Sequence, residues 1–156
     1  MISLILAIGK NKLVGNTKTS NGLPWHYPED LAFYKTKTTG KINVMGKTTY
    51  DMIGYALPNR TTIVLSRDKD LVLDDAEVVN DPQIIINRYQ DSDDEIMICG
   101  GVEIFKLFID YADKIYLTLV NQDYEGDKYY DLDVTNFKVQ EKRESGDLVF
   151  YTLIRK

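Results

Sequence analysis

The sequence predicts an α/β domain built around a mixed, mostly parallel β-sheet. Apolar runs of strand length alternate with segments whose apolar residues have helical spacing, as in chains where helices connect parallel strands. The first run, residues 2–8 (Ile-Ser-Leu-Ile-Leu-Ala-Ile), is almost entirely apolar, which is typical of a strand buried on both faces. Near the other end, residues 137–144 and 148–155 flank Ser145-Gly146-Asp147 and predict an antiparallel hairpin.

The elements between these two follow from the same patterns. Residues 9–22 are polar and rich in Gly, Asn and Thr, so they predict a functional loop or lid that leads into a helix from about Pro28 to Lys37. Asp81 and Pro82 mark the start of another helix as N-cap and first helical residue. We see no repeat and expect a single domain over residues 1–156. Further strands are predicted at 42–46, 61–66, 77–80, 95–99 and 114–120, and further helices at 47–53, 82–89 and 102–109.

Composition argues against several classes of function. The chain has 19 basic and 24 acidic residues without a basic cluster, so nucleic acid and anionic membranes are poor partners. Cys99 is the only cysteine and His26 the only histidine, which leaves no zinc ligand set and no intramolecular disulfide. No apolar run approaches the ~18 residues of a membrane-spanning helix, and the N-terminal residues lack the positive leader of a signal peptide. We therefore expect a cytoplasmic protein without a metal site.

Asp30 is the first candidate for chemistry. It falls in the opening turn of the predicted helix, among Trp25, Leu31, Phe33 and Tyr34. Apolar surroundings make a carboxylate expensive to desolvate and raise its pKa, and proteins seldom keep such a group without a ligand or a proton transfer. The alternative is an ordinary acidic residue that complements the helix dipole, and this stretch alone leaves both readings open.

Two turns between strands and helices are candidates for binding phosphate. Gly46 and the following Lys47-Thr48-Thr49 combine free backbone N–H groups, hydroxyls and a cation at a helix start, although plain capping by the threonines is the alternative. Gly100-Gly101 follows another buried strand and would let the backbone approach a flat ring or a pyrophosphate. Neither turn carries a complete nucleotide-binding fingerprint.

Taken in order, these motifs resemble the dihydrofolate reductase family, in its bacterial type and including phage-encoded relatives. The resemblance runs nearly end to end, and it implies an eight-stranded mixed sheet flanked by about four helices. The segments that carry it are Val14-Gly15, Leu23-Pro24-Trp25, Pro28-Glu29-Asp30-Leu31, Val44-Met45-Gly46-Lys47-Thr48-Thr49-Tyr50, Leu57-Pro58-Asn59-Arg60, Leu65-Ser66-Arg67, Gly100-Gly101, Tyr116-Leu117-Thr118 and Tyr124-Glu125-Gly126-Asp127.

The resemblance implies an activity. The family moves a hydride from NADPH to C6 of 7,8-dihydrofolate and a proton to N5, which makes tetrahydrofolate for one-carbon metabolism. Asp30 would bind the pterin 2-amino group and N3 and favour protonation at N5 through water. Thr118 would hold the outer oxygen of Asp30. The resemblance implies that Trp25 is a catalytic residue together with these two. Antifolate binding, a monomeric state and the absence of a metal are implied as well.

Other roles carry over one residue at a time. Arg60 would clamp the substrate's glutamate α-carboxylate. Residues 9–24 would form a mobile active-site loop, with Asp127 bonding the Gly15 region when the loop is closed. The remaining substrate-binding positions are Ile5, Ala7, Leu31, Tyr34, Ile53 and Cys99. The cofactor-binding positions are Ala7, Gly15, Leu23, Gly46, Lys47, Thr48, Thr49, Ser66, Arg67, Gly100, Gly101 and Phe105, with Ser66 and Arg67 selecting NADPH through its 2′-phosphate.

The chain also departs from the family pattern. The loop before Leu23 is about three residues longer than is common, Lys47 stands where arginine is frequent, Phe105 where tyrosine is common, and Glu103 where a basic residue is frequent. Two alternatives to the folate reductase remain. One is the reductase of riboflavin synthesis that acts on a ribosylamino-pyrimidine and shares the fold; the other is a folate- or nucleotide-binding subunit without turnover.

Overall fold

The centre of the protein is an eight-stranded mixed sheet in the strand order β5-β4-β3-β6-β1-β7-β10-β9. The computed structural model describes every residue from Met1 to Lys156. Strand β1 is parallel to both of its neighbours, β6 and β7, whereas β10 is antiparallel to β7 and β9. The strands are β1 (Ile2–Gly9), β2 (Leu13–Gly15), β3 (Ile42–Gly46), β4 (Thr61–Leu65), β5 (Glu77–Val79), β6 (Ile96–Ile98), β7 (Lys114–Val120), β8 (Lys128–Tyr129), β9 (Phe137–Ser145) and β10 (Leu148–Arg155).

Four α-helices connect these strands. They are α1 (Pro28–Thr38), α2 (Lys47–Ile53), α3 (Pro82–Tyr89) and α4 (Val102–Phe108), with short 3-10 turns at Lys10–Lys12 and Ile109–Tyr111. Helix α3 has the predicted bounds, and the Asp81 carboxylate accepts a hydrogen bond of 2.9 Å from Gln83 N. Helix α1 begins at Pro28 as predicted and continues one residue beyond Lys37. The predicted mixed sheet with a C-terminal hairpin and four helices is confirmed.

Strand β1 is buried on both faces, as its nearly continuous apolar sequence predicts. Leu4 and Leu6 belong to a large core cluster that includes Ile85 of α3 and Phe108 of α4. Ile5 belongs to a separate cluster, against which α1 packs. Because alternate side chains of a strand point to opposite faces, α1 lies on one side of the sheet and α3 with α4 on the other.

The small two-stranded sheet was not predicted. Strand β2, inside the segment expected to be a loop, pairs with β8 to form a separate two-stranded sheet. Strands of three and two residues are too short to show an alternating pattern. The small sheet ties the segment before Trp25 to the segment after β7. No helix in the protein combines the length and the apolarity needed to cross a bilayer.

Candidate active site

The predicted cofactor-binding residues lie at one edge of the sheet. Strand β3 is parallel to both β4 and β6, so the carboxyl ends of these three strands are neighbours. Gly46 ends β3, Ser66 follows β4, and Gly100 follows β6. In α/β proteins this edge is where ligands bind, in the crevice between neighbouring connections. The topology therefore brings together residues that are distant in the sequence.

Asp30 is half-buried in the first turn of α1. Ala7 of β1 is paired with Thr118 of β7, and the Thr118 hydroxyl is within reach of the Asp30 carboxylate. Burial raises the pKa of Asp30 above its ordinary value, and the nearby Thr118 hydroxyl offsets only part of this shift. Asp30 therefore retains its proton to higher pH than an exposed aspartate does.

Trp25 presents a buried N–H group that has no partner in the protein. Its side chain is 5% exposed, and its Nε1 atom is inaccessible and unbonded. The indole lies against Gly9, where an added Cβ would sit 2.8 Å from Cζ3, so only glycine leaves room for the ring. Orphaned donors of this kind are rare in folded proteins, and a ligand or a bound water is the usual explanation.

Tyr34, Cys99 and Arg60, three of the predicted substrate-binding residues, are neighbours in the structure. The Cys99 sulfur lies 3.4 Å from the Met97 carbonyl oxygen. Burial raises the pKa of Cys99 to about 12, with smaller opposing effects from Tyr34 and Arg60, so the thiol stays protonated. Burial likewise raises the pKa of Tyr34, whose hydroxyl neighbours the Cys99 sulfur. Among these three residues only the Arg60 guanidinium is charged.

Arg60 follows a turn in which Asn59 adopts a positive φ of 61°. Its Nη2 donates to Thr39 Oγ1 over 3.4 Å, at the C-terminal end of α1. Its Nε atom is buried without a partner. A guanidinium offers five donors in a fixed fork, and here part of that fork is left unused. Leu31, on α1, is 41% exposed although apolar, and Ile53 at the end of α2 is half-buried.

The two glycine turns predicted to bind phosphate are in direct contact. Gly46 N donates to the Gly100 carbonyl oxygen over 2.9 Å, and the Gly100–Gly101 peptide is cis. Gly100 has a φ of +116°, which favours glycine, and a Cβ on Gly46 would lie 3.0 Å from Ile104. No side chain caps α2, so the alternative of threonine capping is wrong here.

The two predicted phosphate-binding cations near these turns, Lys47 and Arg67, differ in their surroundings. The Lys47 ammonium is paired with Asp51 one turn later in α2, a partner that sequence reasoning missed. Arg67 is exposed. Asn80 holds the turn that carries it, because Asn80 Nδ2 donates to the carbonyl oxygens of Ser66 at 2.9 Å and Asp68 at 3.2 Å. Arg67 is therefore accessible to a phosphate, whereas Lys47 must break its ion pair with Asp51 before it can bind one.

The predicted active-site loop, residues 9–24, contacts the segment that follows β7. Asp127 N donates to the Gly15 carbonyl oxygen over 3.1 Å, and the Asp127 carboxylate accepts from Thr17 N over 2.9 Å. The extra residues of the loop form a turn closed by Asn16 N, which donates to the Gly22 carbonyl oxygen over 2.9 Å. The expected contact between Asp127 and the Gly15 region is present.

Three predicted cofactor positions are less accessible than expected. Phe105 is 5% exposed beneath Gly100 and stacks on Tyr130 with ring centroids 6.0 Å apart. Gly15 is buried against Lys128. Leu23 is half-buried, and its N–H donates to Asn21 Oδ1 over 3.1 Å. Phe105 and Gly15 are therefore arranged to support the site rather than to form an open surface.

Comparison with known proteins identifies the family of this chain. A family model described as dihydrofolate reductase matches residues 1–149. The chain belongs to the dihydrofolate reductase family. It is 36% identical to the dihydrofolate reductase of Haemophilus influenzae, over 99% of this chain and 98% of that one. It is 34% identical to the Bacillus subtilis enzyme, over 89% and 81% of the two chains.

A solved dihydrofolate reductase structure matches the whole fold. The enzyme from Enterococcus faecalis, complexed with NADP(H) and RAB-propyl, superposes with a TM-score of 0.89 and 28% identity, covering 100% of this chain and 96% of that one. The dihydrofolate reductase resemblance is thus confirmed. None of these comparisons favours the pyrimidine reductase of riboflavin synthesis.

Proposed function

We propose that this chain catalyses the NADPH-dependent reduction of 7,8-dihydrofolate to 5,6,7,8-tetrahydrofolate. The observation that carries the proposal is Asp30, a half-buried carboxyl group with a raised pKa that is held near Thr118. A pterin presents an amino group and a ring N–H side by side, and a carboxylate accepts from both in a charge-assisted pair. The family membership supports the same substrate.

Asp30 and Trp25 divide the work at the pterin. In this proposal Asp30 binds the 2-amino group and N3, while Thr118 fixes its orientation. Protonation at N5, delivered through water, makes C6 electron-poor and therefore a better hydride acceptor. The unpartnered Trp25 N–H is suited to hold the substrate or that water. Because burial raises the pKa of Asp30, this group binds a proton more readily than an exposed aspartate does.

The rest of the substrate would lie along α1 and α2. Leu31 and Ile53 offer apolar surface for the aminobenzoyl ring, and the exposure of Leu31 supports this. Arg60 would bind the glutamate α-carboxylate, and its terminal nitrogens support this role because only Nη2 has a protein partner, Thr39, over 3.4 Å. Ile5, Ala7, Tyr34 and Cys99 would line the pterin end.

NADPH fits the edge formed by the glycine turns. A Cβ on Gly46 would lie 3.0 Å from Ile104 and one on Gly100 would lie 3.3 Å from Phe105, so both turns favour glycine. A backbone without side chains can approach a pyrophosphate or a flat ring. Ser66 and the exposed Arg67 would bind the 2′-phosphate, and Lys47, Thr48, Thr49 and Gly101 the remaining phosphate oxygens. When bound, NADPH supplies the hydride. Gly15, Leu23 and Phe105 would support this site from the loop and from beneath.

NADPH oxidation with purified protein tests the proposal. We expect absorbance at 340 nm to fall only when dihydrofolate is present, and an antifolate to stop the reaction. Asp30→Asn should lose most turnover while it binds NADPH nearly normally. Glu29→Gln, which changes the neighbouring carboxylate of the same helical turn, is the matched control and should retain activity. Binding of both ligands without oxidation would instead favour the non-catalytic alternative.

The cellular setting is part of the same proposal. We expect a cytoplasmic monomer, because Cys99 is free and the family resemblance implies one subunit per active enzyme. Size-exclusion chromatography with light scattering measures the subunit number. A stable dimer at assay concentration would contradict the monomer.

A further inference from the structure

Three loops meet beside Trp25, and two tyrosines and an aspartate join them. Tyr27 precedes α1, Tyr124 lies between β7 and β8, and Asp147 lies in the turn between β9 and β10. The hydroxyl oxygens of Tyr27 and Tyr124 are 2.7 Å apart, and Tyr27 Oη lies 3.3 Å from Asp147 Oδ2. We call these three residues the tyrosine junction.

The chemistry of the groups fixes the direction of these hydrogen bonds. A carboxylate only accepts, so the Tyr27 hydroxyl donates to Asp147 and must accept from the Tyr124 hydroxyl. The other oxygen of Asp147 accepts from Gln122 Nε2 over 3.2 Å, and the Asp147 carbonyl oxygen accepts from Asn121 N over 2.7 Å. The segment that carries Tyr124 is therefore fixed to the β9–β10 turn at several points.

The junction reaches the candidate active site through the ring of Tyr124. This ring packs edge-on against the Trp25 indole, with centroids 5.8 Å apart and an interplanar angle of 66°. Aromatic pairs in this arrangement contribute beyond their buried area. Trp25 makes no hydrogen bond through Nε1, so its orientation depends on packing alone. Gly9 and Tyr124 are neighbours that supply such packing.

We propose that Tyr27 and Tyr124 are positioning residues for dihydrofolate reduction, which hold the Trp25 indole, and with it the unpartnered N–H, in one orientation beside the pterin site. The inference rests on the proposed function, because Trp25 is assigned there to the pterin site. Leaving a buried donor unpaired costs free energy, and the indole would rotate or admit water if nothing held it. The hydrogen bond to Tyr27, which is itself held by Asp147, keeps Tyr124 against the indole.

Fluorescence provides a direct measurement, because Trp25 is the only tryptophan in the chain. Excited at wavelengths that tyrosine does not absorb, the ligand-free protein therefore reports emission and anisotropy of this one indole. Tyr27→Phe and Tyr124→Phe keep both rings and remove the hydrogen bond between them. Tyr124→Leu removes the ring that packs on the indole. Tyr111→Phe is the matched control, because Tyr111 is exposed, 40% of its surface being accessible, and lies outside the junction.

We expect the three junction variants to shift the Trp25 emission to longer wavelength and to lower its anisotropy, while Tyr111→Phe matches the wild type. The KM for dihydrofolate should rise roughly fivefold in Tyr27→Phe, as expected for one lost hydrogen bond, with a smaller change in the KM for NADPH. The double variant Tyr27→Phe/Tyr124→Phe should be no worse than Tyr27→Phe alone, because both changes remove the same bond.

Two results would overturn the proposal. One is wild-type emission, anisotropy and dihydrofolate KM in Tyr27→Phe and Tyr124→Leu. The other is a lowered melting temperature with equal effects on both substrates, which is the result of a merely structural role. The emission measurement does not depend on turnover. A wild-type protein that fails to reduce dihydrofolate would contradict the proposed function, whereas unchanged emission in the variants would contradict the positioning role separately.

Discussion

Gly126 allows the active-site loop to close, so Gly126→Ala should slow the reaction without unfolding the protein. A Cβ at this position would lie 2.4 Å from the Gly15 carbonyl oxygen and 2.5 Å from Leu13 Cδ1. Ordinary contacts need about 1 Å more, so the segment after Gly126 must separate from β2 by about that distance. The hydrogen bond from Asp127 N to Gly15 O, now 3.1 Å, would then be broken.

The magnitude follows from the bonds that close the loop. Asp127 also accepts from Thr17 N and from the Thr17 hydroxyl. Losing two or three bonds at about 1 kcal/mol each makes closure about 2–3 kcal/mol less favourable. That energy corresponds to a ratio of closed to open loop that is roughly 30- to 150-fold lower. We expect the single-turnover hydride-transfer rate to fall by up to this factor.

Stopped-flow NADPH fluorescence measures that rate, and a second glycine serves as the control. Gly40 has a φ of +77° and no atom within 4 Å of the place that a Cβ would occupy, so Gly40→Ala should reduce stability through backbone strain without touching the loop. Hydride transfer in Gly126→Ala within about twofold of the wild type, or an equal loss in Gly40→Ala, would refute the reasoning.

Three further predictions concern charged groups. Burial alone would raise the pKa of Glu95, but hydrogen bonds from Lys41 and two hydroxyl donors lower it overall. Glu95 should therefore stabilise the protein fully at pH values above the pKa that it has in the unfolded chain, and this stabilisation should be lost as pH falls through its lower pKa in the folded protein. Urea unfolding from about pH 3 to 6 measures the free energy of unfolding, and Glu95→Gln should make it depend less on pH. Asp51→Asn should release Lys47 and tighten NADPH binding by roughly two- to fivefold, the range of an exposed ion pair, and unchanged titrations would contradict a competition for Lys47. Arg60→Leu should raise the KM for dihydrofolate far more than the KM for NADPH, and an equal change in both would remove the carboxylate clamp.

Elements whose sequence shows one dominant residue pattern could be predicted correctly. The apolar run of β1 and the Asp81-Pro82 start of α3 predict elements that the structure contains. Asp30 could be singled out because a carboxylate among aromatic residues has a physical cost wherever the chain places it. The eight-stranded sheet followed from the family resemblance, because strand alternation alone leaves the crossovers open.

Contacts between distant loops could not be predicted from the sequence in this way. In the tyrosine junction Tyr27 is 97 positions from Tyr124 and 120 from Asp147, and a tyrosine in a polar segment has no feature that reveals such a partner. Strands β2 and β8 form because Gly126 permits close approach of the loops, again a property of three-dimensional packing. The pairing of Lys47 with Asp51 has ordinary helical spacing, but the same lysine also fits a phosphate site, so spacing alone does not decide its partner.

The pH dependence of hydride transfer in Asp30→Asn measures whether Asp30 promotes protonation of the substrate. In the wild type the rate should decline as pH rises through the raised pKa of the site, since the protonated state is the reactive one. Asp30→Asn should be slower at neutral pH by about 100-fold or more, and recover only at low pH, where solvent protonates the substrate. Glu29→Gln should follow the wild-type profile. A wild-type rate and profile in Asp30→Asn would contradict the account.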